Sequence, residues 1–146
     1  MGKSAYIHLV DQSTTPQADL EDVKQKLADY VRMTTKTGEQ LGWDYAGAAF
    51  PYTIVQPEEG KGKWFYLKGN DPQLYKHIII GVGSQSVTTE DGQEKERHFI
   101  QIVLPDDATH GDNAKANEFA KFLGKAYQAE LKLFNGRIMY CYPRKP

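Results

Sequence analysis

Asp106, Asp107, His110 and Asp112 fall within one short stretch and supply the carboxylate and imidazole donors that divalent cations take. A metal held there would make the chain a small metal-dependent hydrolase working from the 106–112 loop. The same residue types also form turns and cap helices, where acidic groups are favoured at the positive end. Their spacing matches no familiar ligand set, so capping is the default reading and the cation site the competing one.

A second constellation interleaves cations with rings: Lys61, Lys63, Trp64, Phe65, Tyr66 and Lys68. On a strand, Trp64, Tyr66 and Lys68 share one face while Phe65 and Leu67 share the other. Such a face can stack nucleobases, at ~1–3 kcal/mol per base, or anchor a protein partner through its rings. The plainer account is a hairpin with cross-strand aromatic pairs. Tyr140 and Tyr142 offer the same chemistry near the C-terminal end, within the alternating run Ile138-Met139-Tyr140-Cys141-Tyr142.

The remaining candidates are weaker. Gly81-Val82-Gly83-Ser84 lacks the following helix whose free amides a phosphate cradle needs, so a bulge or bend in a long strand is expected. Cys141 sits in an alternating strand with nothing nearby to lower its pKa except Arg144, which reads as structural rather than nucleophilic. His8, His77 and His98 lie on separate strands, and only the register decides whether they converge on a metal or a pH-sensitive patch. No Ser-His-Asp or paired-carboxylate signature is present in the sequence, and no cofactor is implied.

With 18 Lys and Arg against 19 Asp and Glu, the chain has a net charge of −1 and no global field toward nucleic acid or anionic lipid. Nucleic acid is therefore not the expected partner, and binding it would need a local patch. One cysteine excludes an internal disulfide and fits a reducing, cytoplasmic setting. The N-terminal residues lack the apolar run of a secretory signal, and no stretch reaches the ~20 apolar residues of a membrane span. An apolar share of 40% over 146 residues is enough for a core without staples, which points to a single domain over 1–146.

Positioning these residues falls to a readable set of elements. Ser4 to Val10 alternates as a first strand. Thr15-Pro16 starts a helix whose stripe, Leu20, Val23, Leu27, Tyr30 and Val31, ends near Thr35. Thr37-Gly38-Glu39-Gln40 has the form of a capping box and predicts a second short helix, while Gly42 to Phe50 supports no assignment. Phe50–Gln56, Lys63–Lys68, Tyr75–Gly83 and Arg97–Leu104 are expected strands, the last two joined by an Asp91-Gly92 hairpin. A long helix is expected from about Asp112 to Phe134, with Leu131 and Phe134 on its buried face and Asn135-Gly136 as its C-cap. A strand from Arg137 to Tyr142 follows.

Short turns between four successive strands require antiparallel pairing. The fold class is therefore α+β: a mostly antiparallel twisted sheet in the order β-α-α-β-β-β-β-α-β, with two main helices packed on one face. Ser4-Ala5-Tyr6-Ile7-His8-Leu9-Val10, the segment Thr37 to Tyr45 and His77-Ile78-Ile79-Ile80-Gly81-Val82-Gly83 resemble a family of small uncharacterised proteins of Bacillus relatives. That family has no assigned activity, so the resemblance implies no functional residue. The element order also resembles one half of the TATA-binding-protein fold, up to the final strand. Together these readings favour a non-enzymatic module binding a protein or small ligand through Lys63, Trp64, Tyr66, Lys68, Tyr140 and Tyr142, with self-association a further use of such a surface.

Overall fold

The computed structural model describes residues 2–10, 13–15, 17–41, 50–71 and 73–142, the side chains of 37–41 excepted. Seven strands form one antiparallel sheet: β1 (Lys3–His8), β2 (Tyr52–Val55), β3 (Trp64–Gly69), β4 (His77–Thr88), β5 (Glu94–Leu104), β6 (Glu130–Lys132) and β7 (Ile138–Tyr140). Their spatial order is β2-β3-β4-β5-β1-β6-β7. Two helices, α1 (Leu20–Leu41) and α2 (His110–Tyr127), complete the α+β architecture. The comparison with half of the TATA-binding-protein fold is not confirmed.

Strand alternation delivers one side of the sheet to the core. Phe65, Ile80, Ile102 and Ala5 lie opposite one another across four strands, and all are fully buried. Against them pack Leu20, Val23 and Leu27 of α1 and Ala116, Phe119, Ala120 and Leu123 of α2. The helices lock to each other through rings: Tyr30 meets Phe119 edge-on at 5.6 Å and Phe122 at 5.1 Å, while its hydroxyl donates to Glu118. Aromatic pairs of this geometry contribute about 0.5–1.5 kcal/mol beyond their buried area.

Several element boundaries differ from the sequence reading. The first helix starts at Leu20, not at Thr15-Pro16. Asp19 Oδ1 accepts the Asp22 N–H at 2.8 Å as its cap, and the Thr15 hydroxyl donates instead to the Gln17 carbonyl. The helix also runs past Thr35 to Leu41, so the Thr37 to Gln40 motif continues it rather than opening another. Thr34 and Thr35 are accommodated because their hydroxyls bond back to carbonyls one turn earlier. Residues 42–49, whose assignment the sequence left open, lie outside the described residues.

The largest correction is at the end of α2. The helix stops at Tyr127, where Gln128 turns left-handed at φ 51° and its N–H reaches the Gly124 and Lys125 carbonyls. Leu131 and Leu133, buried on either side of exposed Lys132, belong to a period-two run, and β6 pairs with β1. The Asn135-Gly136 pair turns the β6–β7 hairpin, with Gly136 at φ 86° and the Leu133 N–H on the Arg137 carbonyl. Leu131 and Phe134, three apart, fit a helical stripe while Leu131 and Leu133, two apart, fit a strand, and the vacant edge of β1 decided between them. Strands β4 and β5 are also longer than expected, projecting as a ribbon to the turn at Asp91-Gly92.

At the other side of the sheet, Gly69 makes the tightest backbone approach. Its N–H donates to the Lys76 carbonyl at 2.7 Å, and a Cβ there would lie 1.8 Å from the Tyr75 carbonyl oxygen. Only glycine lets the β3–β4 connection fold back this closely.

Candidate binding face

The strand residues that do not enter the core emerge on the opposite side, away from both helices. Register defines its rows. One runs Trp64, Gly81, Gln101, Tyr6, Lys132, Ile138 across six strands. A second runs Val55, Tyr66, Ile79, Val103, Ser4, and a third Gly83, Phe99, His8, Glu130, Tyr140. Trp64, Tyr66, Tyr6, His8 and Phe99 are half-buried among their neighbours, whereas Ile138 and Tyr140 are 47% and 43% exposed.

Glycines shape this face. Phe99 lies across Gly83, where a Cβ would come within 2.7 Å of its ring, so the strand gives up a side chain to seat the ring flat. Trp64 packs likewise against Gly60 of the short 3-10 turn Glu58–Gly60. Beside Trp64, Gly81 leaves a shallow depression of about 360 Å³ floored by Ile79 and Val103 and bordered by Lys63 and Gln101. Tyr6 stacks on His8 at 5.8 Å with ring planes 13° apart, and Phe99 meets both edge-on.

Polar groups give the face its electrostatics. Gln101 Nε2 donates to the hydroxyls of Ser4 and Tyr6, fixing its amide to the neighbouring strand β1. Burial lowers the pKa of His8; Glu130 opposes that shift while Arg97 and Lys132 reinforce it. His8 Nδ1 is buried and has no hydrogen-bond partner among the described residues. His77, at the start of β4, pairs with Asp107 at 2.9 Å, and this bond holds the Asp107 carboxyl below its ordinary range.

The residues named from sequence are therefore divided. Trp64, Tyr66, Lys68 and Tyr140 share the open face by register, with Lys63 at the rim of the Gly81 depression and Tyr142 edge-on to Tyr140 at 5.9 Å. Tyr140 stands at the far side of the sheet from Trp64, three strands beyond the strand pair that follows β3. Of the three histidines, His8 and His77 reach this face on separate strands, while His98 belongs to the helix-side face of the β4–β5 ribbon.

Within the acidic stretch, Asp112 is part of the cap of α2. The Thr109 hydroxyl accepts the Asp112 N–H and Asp112 Oδ2 accepts the Thr109 N–H, a reciprocal box at the start of α2. Asp112 is fully buried, and its carboxylate also accepts from the Tyr52 hydroxyl at 2.6 Å and the Lys76 N–H at 3.1 Å. Next to that carboxylate and out of water, the Tyr52 hydroxyl is driven far above its usual pKa. Asp107 is engaged with His77, and Asp106 and His110 are exposed on the rim of a neighbouring cleft of about 620 Å³. Among the described residues no group of three or more His, Cys, Asp or Glu side chains is placed to hold a metal ion. Cys141 packs against Gly124, and burial pushes its thiol pKa up, against the thiolate a nucleophile needs.

Sequence reading missed Tyr6 and Phe99 as members of the face, along with the charge pattern of Glu94-Lys95-Glu96-Arg97. The signal was present as alternation, since a strand extended back to Glu94 assigns every second side chain to one side.

No helix among the described residues is long and apolar enough to cross a membrane. No curated protein matches the chain. A crystal structure described as a protein of unknown function from Bacillus stearothermophilus is similar, with 46% sequence identity, a TM-score of 0.53, and coverage of 83% of this chain and 86% of that one. A family model described as a domain of unknown function, DUF1885, matches residues 3–143, and the chain belongs to that family.

Proposed function

We propose that the domain is a non-enzymatic binding module of the cytoplasm whose contact surface is the open face of the sheet. One observation carries this reading. The fold covers one side of a seven-stranded sheet with both helices and leaves rings from four strands, Trp64, Tyr6, Phe99 and Tyr140, on the side away from the helices. Rings beside a shallow apolar depression are what contact surfaces use to anchor partners. The buried carboxylate, the inert thiol and the capped helix end are meanwhile spent on structure.

The test is a paired pull-down from a Bacillus lysate. A face variant, Tyr66→Glu, and a control on the outer surface of α2, Lys121→Glu, are immobilised beside the unaltered domain. Molecules retained by the unaltered domain and the control but lost by Tyr66→Glu support the reading. Identical retention by all three removes it.

A further inference from the structure

The net charge of −1 conceals an uneven distribution. In Glu94-Lys95-Glu96-Arg97 the sign alternates at the period of a strand, so β5 carries Lys95 and Arg97 on the open face and both glutamates on the other. Lys68 joins them on β3 and Lys132 on β6. Glu130 is the single acid among the described strand residues of this face, and Asp107 reaches it from the loop after β5 beside His77 and Lys68, so four cations stand against two acids and leave a surplus of two positive charges. The local patch that a polyanion requires is therefore present although the whole chain is almost neutral.

We infer that the open face is a platform for single-stranded nucleic acid, with phosphates drawn to Lys68, Lys95, Arg97 and Lys132 and bases laid on Trp64 and the Tyr6–Phe99 cluster. This rests on the open face being the contact surface and adds the chemistry of its occupant. Three features select a single strand. Stackable rings stand between the cations rather than apart from them, and ring stacking with a basic track is the combination that holds unpaired bases. The row from Trp64 to Lys132 crosses five strands, about 19 Å at ordinary strand spacing, which is room for several nucleotides. The Gly81 depression beside Trp64 is shallow and apolar, suited to a flat ring rather than to a lipid chain or a bulky peptide side chain. A second copy fits poorly, because two such faces would oppose like charges.

The experiment uses fluorescein-labelled decamers of deoxythymidine and uridine, measured by anisotropy on the full chain from 25 to 200 mM salt. A single strand contacting four cations gives a slope of log affinity on log salt near −3, since each phosphate contributes about −0.7. Lys132→Glu and Lys68→Glu, both exposed and checked for folding by circular dichroism, are expected to weaken binding at least ten-fold at low salt and to flatten the slope. The charge-matched control Lys121→Glu should bind as the unaltered domain does. In a Trp43→Phe background, oligonucleotide should quench Trp64 fluorescence, which a purely ionic contact would not do.

No binding at 25 mM salt, full binding by both face variants, or affinity for phosphatidylglycerol vesicles in place of the decamers would overturn the inference. Nuclease treatment separates it from the broader reading. A face-dependent partner in the pull-down that survives nuclease and proves to be a protein keeps the binding module and overturns the nucleic-acid platform.

Discussion

The hydroxyl of Tyr52 donates to Asp112 Oδ1 at 2.6 Å within the core, tying the edge strand β2 to the first turn of α2. Asp112 also holds the Lys76 and Thr109 backbone amides, so its removal strands several buried donors at once. Asp112→Ala should cost about 3 kcal/mol or more, and Tyr52→Phe about 1–2 kcal/mol. The double variant should cost less than the sum because both share one bond. Urea denaturation of the three variants measures this, and an Asp112→Ala cost below that of Tyr52→Phe contradicts it.

Gly69 and Gly92 should separate two reasons for glycine. At Gly69 a methyl would strike the Tyr75 carbonyl, and Gly69→Ala should destabilise by about 3 kcal/mol through forced backbone movement. At Gly92, φ is 82° and the space is open, so Gly92→Ala should cost only about 1 kcal/mol of backbone strain. Equal midpoints for the two variants in thermal unfolding would refute the distinction.

His8 makes the fold acid-sensitive with a definite sign. Its folded pKa is lowered, chiefly by burial, from the ordinary 6.5. Between those two values the unfolded chain binds more protons than the folded one, so stability is complete above about pH 6.5 and falls as the pH drops toward the folded value. His8→Gln should flatten this part of the stability profile between pH 7 and pH 5. A profile unchanged by the substitution would show that His8 is not the group responsible.

Cys141 should react slowly. Burial raises its pKa, and its sulfur rests on the Gly124 surface of α2. Iodoacetamide at pH 7.5 should therefore modify the folded protein well below the rate for a free cysteine peptide, and denaturant should restore the full rate. Equal rates with and without denaturant would indicate an accessible thiolate.

Local chemistry made much of this architecture legible. The runs holding Phe65, Leu67, Ile78, Ile80, Ile100 and Ile102 announce their strands by β-branched and aromatic content between turn residues, and the short turns between them force antiparallel neighbours. Asp112 as a cap and Cys141 as a packing residue followed from the same kind of reasoning, because capping and thiolate activation depend on groups close in sequence. The binding face was legible only in part. Trp64, Tyr66 and Lys68 share a face by parity within one strand, but placing Tyr6 and Phe99 beside that strand requires the register of β3 through β5 and β1.

The sequence by itself determined which segments alternate, which residues turn the chain, and that charge nearly cancels over its length. Tertiary structure decided that Leu131 and Leu133 extend the sheet rather than α2, and that four dispersed cations gather on one side. Periodicity is a property of neighbours along the chain and survives without a fold. Pairing partners and the sign of a surface depend on residues far apart in the chain, such as Ser4 and Gln101 or Tyr6 and Lys132, which only the closed sheet brings together.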